Sequence, residues 1–207
     1  MHKKILVAAL AAVGLLSTAA VQAADGSFMV RARAVYVDFD NGQSDGLPAS
    51  LGGAKVEADS RWIPEVDLSY FITPNIAAEL VLTYPQKVDI LVGGSKLGSI
   101  KALPPSLLLQ YHFTQFGAFK PYVGAGLNLT IFSSRKNIGA TADVDKTSVG
   151  LAAQIGADYM LNKNWSLNLD VKYIQMDTDV RLSAGGAKLG KVDLNPITAG
   201  IGIGYRF

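Results

Sequence analysis

The residues of this chain that could do chemistry are charged, and they recur at a spacing of two. Arg31 and Arg33, Glu65 and Asp67, and Asp170 and Lys172 are each separated by one residue. Glu79, Asp158 and Arg206 hold the same phase within alternating segments of their own. Residues two apart share one face of a β-strand, so both signs of charge are presented to a common surface. Enclosed in a narrow space, such groups must pair with one another. The chemistry they predict is ion pairing that blocks a passage.

Catalytic and cofactor chemistry find little support. After His2 the only histidine is His112, and no serine and carboxylate are grouped around it as an acid–base or nucleophilic site requires. It reads as a hydrogen-bonded lumen residue. Gly200-x-Gly202-x-Gly204 lies inside an alternating segment with no helix after it, which excludes a dinucleotide loop. Asp38, Asp40, Asp143 and Asp145 lack the ordered oxygen-ligand spacing of a calcium loop and read as solvated charge. There is no cysteine, hence no disulfide and no thiolate metal site. The chain is expected to be no enzyme and to carry no cofactor and no metal.

Eight segments would position these residues: 30–37, 61–70, 76–84, 103–113, 122–132, 149–159, 165–176 and 197–207. The last is the clearest. Ile197, Ala199, Ile201, Ile203, Tyr205 and Phe207 alternate with Thr198, Gly200, Gly202, Gly204 and Arg206. Each segment is about the ten residues that a tilted strand needs to cross a bilayer. An open sheet edge in lipid would strand backbone donors and acceptors, so the sheet must close. The prediction is an all-β, eight-stranded antiparallel transmembrane β-barrel. Connections 71–75, 114–120 and 161–164 are short, whereas 40–59, 86–101, 133–147 and 179–191 are long, which assigns short turns to the periplasm and long loops to the outside. Tyr70, Phe113, Tyr159, Trp165 and Phe207 then form one aromatic girdle, with Tyr36, Trp62, Tyr84 and Tyr173 in the other.

The amino terminus points to the same compartment. His2, Lys3 and Lys4 precede an apolar run from Ile5 to Leu16 and a small-residue segment ending at Ala23, the pattern of a cleaved signal peptide over 1–23. The apolar run is too short to span a bilayer of about 30 Å as a helix. Residues 24–207 would form the barrel. Two of the 19 Lys and Arg residues fall in the leader, leaving 17 against 17 acidic residues, without a basic cluster that would suit nucleic acid. The expected location is the bacterial outer membrane, with both termini periplasmic. Expected partners are outer-membrane lipid and, through the strand ending at Phe207, the barrel assembly machinery.

The inward face divides by height. Toward the short turns lie Arg31, Arg33, Glu65, Asp67, Glu79, Gln110, His112, Asp158, Asp170, Lys172 and Arg206, a charged floor. Toward the long loops lie Val35, Val37, Ile63, Val81, Leu108, Phe132, Ile174 and Met176. The interior of an eight-stranded barrel holds only side chains or one small ligand, which argues against an open ion channel. Two readings of the apolar half stay open: a solid plug, or a path for a small hydrophobic ligand. Pro64, Pro104, Pro105, Pro121 and Pro196 each remove a ladder donor. Bulges or early strand ends are expected near Pro64, Pro104-Pro105 and Pro196, and the first three residues mark a candidate lateral exit.

The segments Leu103-Pro104-Pro105-Ser106-Leu107, Phe119-Lys120-Pro121-Tyr122-Val123-Gly124-Ala125-Gly126-Leu127-Asn128, Gly156-Ala157-Asp158-Tyr159, Asp193-Leu194-Asn195-Pro196 and Gly204-Tyr205-Arg206-Phe207 resemble the outer membrane protein W family of small barrels. With the strand spacing, the likeness covers nearly all of the chain after the leader. It implies an eight-stranded outer-membrane barrel with a narrow apolar channel, associated with uptake of small hydrophobic compounds. Lys172 departs from an apolar lining and sets the lower limit of any such path. The alternative from the residues is a structural or surface-recognition barrel, a phage receptor or adhesin, with a plugged lumen.

Overall fold

The computed structural model describes residues 27–39, 42–43, 59–92, 95–133, 142–182 and 188–207. The leader expected over 1–23 lies outside them, as does most of the 40–59 loop, including Asp40. The described residues form strands β1 (Phe28–Asp38), β2 (Gly42–Gln43), β3 (Arg61–Phe71), β4 (Ile76–Thr83), β5 (Gln86–Val92), β6 (Ser95–Leu103), β7 (Ser106–His112), β8 (Phe119–Ser133), β9 (Ala142–Val144), β10 (Thr147–Met160), β11 (Trp165–Ile174), β12 (Asp177–Leu182), β13 (Lys188–Asp193) and β14 (Ile197–Arg206). Eight of them close a ring in the order β1-β3-β4-β7-β8-β10-β11-β14 and back to β1, every pair antiparallel. This is a closed eight-stranded antiparallel β-barrel.

Alternation explains why these segments are strands. In β7, Ser106, Leu108, Gln110 and His112 are buried while Leu107, Leu109 and Tyr111 are exposed, and β11 repeats the pattern from Trp165 to Ile174. The exposed partners, among them Leu80, Leu107, Leu127, Leu151, Leu169 and Ile201, form an apolar outer belt that suits hydrocarbon. Aromatic pairs border it. Tyr36 and Trp62 meet at 5.5 Å across β1 and β3, and at the opposite end Tyr205 lies 4.9 Å from both Trp165 and Phe207.

The short turns are held locally. Asn162 Oδ1 accepts from the backbone N–H groups of Asn164 and Trp165, both at 2.9 Å, which replaces missing ladder bonds at the β10–β11 reversal. At the opposite end the described residues include further strands. Residues 86–101, expected as a loop, continue as the β5–β6 hairpin, and β2, β13, β12 and β9 form a separate four-stranded sheet.

Prolines interrupt the wall much as their missing donors require. Between β6 and β7 the strand stops at Leu103 and resumes at Ser106 across Pro104-Pro105. Val81 pairs with Ser106, yet five residues further Gln86 pairs with Ala102, only four residues back, so the ladder slips by one at these prolines and at Pro85. Against β8 there is no slip, and Pro105 O still accepts from Leu129 N at 2.9 Å. Pro64 behaves differently from the expected bulge. It stays in register with Ala34 of β1, but the β3–β4 ladder ends at Glu65↔Thr83. Its carbonyl faces β4 and accepts from Thr83 Oγ1 at 3.3 Å, so its missing N–H faces β4 as well. Pro196 stands just ahead of β14, an early strand end as expected.

Candidate functional site

The charged residues expected at the floor meet inside the ring. Arg31 of β1 binds Asp158 of β10 through Nε at 3.1 Å and Nη2 at 2.7 Å, Glu79 of β4 at 3.0 Å and Ser69 of β3 at 2.7 Å. Arg33 reaches Asp67 at 2.7 Å, Asp170 at 3.1 Å and Glu65 at 3.2 Å. Lys172 lies 2.9 Å from Glu65 and 3.0 Å from Asp170. Neutral donors bind several of the same carboxylates. Gln110 and Gln154 each donate to Glu79, at 2.8 and 3.1 Å, and Tyr122 Oη donates to Asp170 at 2.9 Å.

All of these charged side chains are buried, and three cations face five carboxylates, so no cation in the set is spare. Buried charges persist only when paired in this way. The pairs run across the lumen as well as along the wall, and together they form a septum of paired charges. Seven of the eight ring strands contribute a side chain. The eighth, β14, contributes room: a Cβ on Gly202 would stand 2.8 Å from Arg33 Cγ. Arg206, grouped with the floor by sequence, sits below it with its guanidinium 3.9 Å over the ring of Phe71. His112 Nε2 shares a hydrogen bond with Gln110 Oε1 at 2.9 Å and lies between the rings of Phe71 and Tyr122.

Above the septum, Val35, Val37 and Ile63 pack as one cluster with Phe39 against it. Val81, Leu108, Phe132, Ile174 and Met176 turn into the same lumen from β4, β7, β8 and the end of β11, and all eight are buried. Ile100, Ala102 and Leu194 join them; sequence reasoning missed them because Ile100 falls in the 86–101 loop and Ala102 and Leu194 lie just outside the alternating segments that begin at 103 and 197. The upper lining is also less uniformly apolar than expected. Asn128 Nδ2 donates to Ser106 Oγ at 3.0 Å, and Thr130 Oγ1 donates to Asn128 Oδ1 at 2.7 Å. The same Asn128 nitrogen lies 3.2 Å from the carbonyls of both Pro104 and Pro105, beside the break in the strand.

The three proline positions fall on two adjacent interruptions. Pro64 borders the end of the β3–β4 ladder; Pro104-Pro105, with Pro85 opposite, borders the slip between β4–β5 and β6–β7. Arg61 Nη1 donates to the Lys87 carbonyl above the first interruption, which frames it from the loop side. Pro85 was not singled out from sequence, because Tyr84 already ended its alternating run.

Closed ring, apolar belt, aromatic borders and polar interior together define a transmembrane β-barrel of the bacterial outer-membrane class. The OmpW family model matches residues 24–207, and the chain belongs to that family. It is 35% identical to outer membrane protein W of Escherichia coli over 215 residues, covering 99% of this chain and all of that one. The crystal structure of OprG from Pseudomonas aeruginosa superposes with a TM-score of 0.69 at 32% identity, over 88% of this chain and 96% of that one. The dibenzothiophene metabolism operon protein PahQ of Pseudomonas aeruginosa is 27% identical over 161 residues, 75% of this chain and 76% of its own length. The chain is thus a bacterial outer-membrane barrel protein.

Proposed function

We propose that the barrel passively facilitates uptake of small hydrophobic molecules, which enter at the long-loop end, occupy the upper lumen and leave sideways into the membrane. In this reading residues 1–23 direct export and are removed, the short turns and both termini face the periplasm, and the strand ending at Phe207 engages the assembly machinery. The lining is Val35, Val37, Ile63, Val81, Leu108, Phe132, Ile174 and Met176. The observation that carries the reading is the lapse of the wall ladder at Pro64 and at Pro85 with Pro104-Pro105, above the paired charges. A guest stopped below by paired charges meets an interrupted wall beside it, and apolar surface favours its transfer at about 25 cal/mol per Å². PahQ's operon for dibenzothiophene, a small hydrophobic aromatic, supports the substrate class.

The test is uptake of a radiolabelled medium-chain apolar compound by cells bearing the wild-type barrel, compared with Leu108→Asp and Ile174→Asp at matched outer-membrane abundance. A carboxylate in the lining costs several kcal/mol to desolvate and repels an apolar guest. The expected result is uptake by both variants at the level of cells lacking the barrel. Equal rates in wild type, variants and barrel-free cells would overturn transport of that compound. A second reading, a plugged lumen with the loops used for surface recognition, draws on the tight burial of Val35 and Leu108, both 2% exposed. It expects the substitutions to leave surface recognition and uptake alike unchanged.

A further inference from the structure

Where the β3–β4 ladder has stopped, one buried side chain keeps an unused acceptor. Gln86 opens β5 directly after Pro85 and pairs with Ala102, which in turn pairs with Phe132 of β8. Residues directly opposite one another on neighbouring strands share a face, so Gln86 is turned into the lumen with these two. It is only 5% exposed. Its amide belongs to the interruption itself. Nε2 donates to the Tyr84 carbonyl at 2.7 Å and lies 3.5 Å from Thr83 Oγ1, which donates to the Pro64 carbonyl of β3 at 3.3 Å.

The orientation of that amide is chemically determined. Only an NH₂ can face a carbonyl, so the contact with Tyr84 fixes which end is Oε1. Oε1 is buried and has no hydrogen-bond partner among the described residues. By contrast, Asn128, Ser106 and Thr130 of the same upper lining bond to one another. Among the described residues, every other buried side-chain atom without a hydrogen bond belongs to the septum or lies nearer the short turns. An apolar guest in the upper lumen excludes water from this oxygen, and a buried acceptor left unmet is costly. A guest that brings its own donor removes that cost.

We propose that the preferred guests of the upper lumen are apolar molecules with a single hydrogen-bond donor, aliphatic alcohols or phenols, whose O–H is received by Gln86 Oε1 at the interrupted wall. The proposal rests on the uptake reading above and narrows its substrate class. A hydrocarbon fits the apolar lining but leaves the acceptor unmet, and a guest with several donors finds one acceptor for them here. Because Gln86 stands beside the candidate exit, the guest is selected where it leaves the lumen.

The test uses the whole protein in phosphatidylcholine nanodiscs with ¹³C-methyl methionine as reporter. Met176 reports on the upper lumen, and Met29, packed with Phe71 and Ala77 toward the short turns, is the internal control. Octanol is compared with its isomer heptyl methyl ether, which keeps the oxygen and lacks the O–H, at matched free aqueous concentrations. Both are expected to move the Met176 methyl signal saturably and leave Met29 in place, with octanol binding about fivefold to tenfold more tightly. Gln86→Leu is expected to abolish that advantage by weakening octanol alone, whereas a mere loss of packing would weaken both probes alike. Equal affinity of the two probes for wild type, an octanol advantage that survives Gln86→Leu, or parallel weakening of both probes would overturn the assignment to Gln86 and leave the uptake reading standing. Failure of both probes to move Met176, or movement of Met29 as large as that of Met176, would overturn occupation of the upper lumen and this proposal with it.

Discussion

Four residues of β1 contrast the two halves of the barrel. Arg31 and Arg33 reach across the lumen to β4, β10 and β11, and each is held by several partners from different strands. Val35 and Val37, one turn of the same alternation further on, pack with Ile63 on the neighbouring strand and with Phe39. The wall differs in step with the contents. Beside the septum, β3 and β4 pair without a break from Phe71↔Ala77 to Glu65↔Thr83; beside the apolar cluster, that ladder has stopped. Where directional bonds fill the lumen the wall is continuous, and where the lining is apolar the wall is interrupted. Ion pairing beside a continuous β3–β4 ladder and apolar packing beside an interrupted one thus lie at separate heights of one cylinder.

The contrast is broken most severely at Arg31. Arg31→Met leaves Asp158 and Glu79 buried without their main cation, an expected loss of about 3–5 kcal/mol, readable as a lower urea midpoint for the barrel in lipid vesicles. A loss below about 1 kcal/mol, the scale of a surface ion pair, would show that the septum is solvated. Next is Gly156→Ala. The added Cβ would stand 2.4 Å from Tyr122 Oη and 2.6 Å from the Leu169 carbonyl, so the ring that donates to Asp170 must move. The expected cost is about 1–3 kcal/mol, again by urea unfolding.

The upper half responds more mildly. Asn128→Ala removes the side-chain donor shared by Pro104, Pro105 and Ser106, for an expected loss of about 1 kcal/mol and faster amide exchange at Leu103 and Ser106. Pro64→Ala has the smallest effect on stability, a gain below about 1 kcal/mol, because it returns one backbone donor to the edge facing β4. It sharpens the comparison through function. If that interruption is the exit, uptake slows while folding improves; unchanged uptake would move the exit to Pro85 and Pro104-Pro105.

Much of this was legible in sequence because a strand's period is two and lipid enforces it. The eight ring strands and the inward set from Arg31 to Met176 follow from alternation alone, and the break at Pro104-Pro105 follows from two missing donors. Pro64 was only half legible, since a proline whose absent N–H faces one neighbour can remain in register with the other. The β5–β6 hairpin was not, because residues 88–92, Val-Asp-Ile-Leu-Val, lack the strict alternation that a lipid-facing strand must keep. Nor were the partners within the septum. Period two states which charges face inward; barrel stagger decides that Arg31 meets Asp158, 127 residues away.

The septum also couples charge pairing to closure of the ring. Its members come from seven strands, and Arg31 is joined to Asp158 only when the two ends of the sheet have met. Before that moment Arg31 and Asp158 stand apart, while neighbours along the wall such as Arg33 and Glu65 can already pair. The last of the septum's pairings and the closing of the ring are therefore energetically coupled.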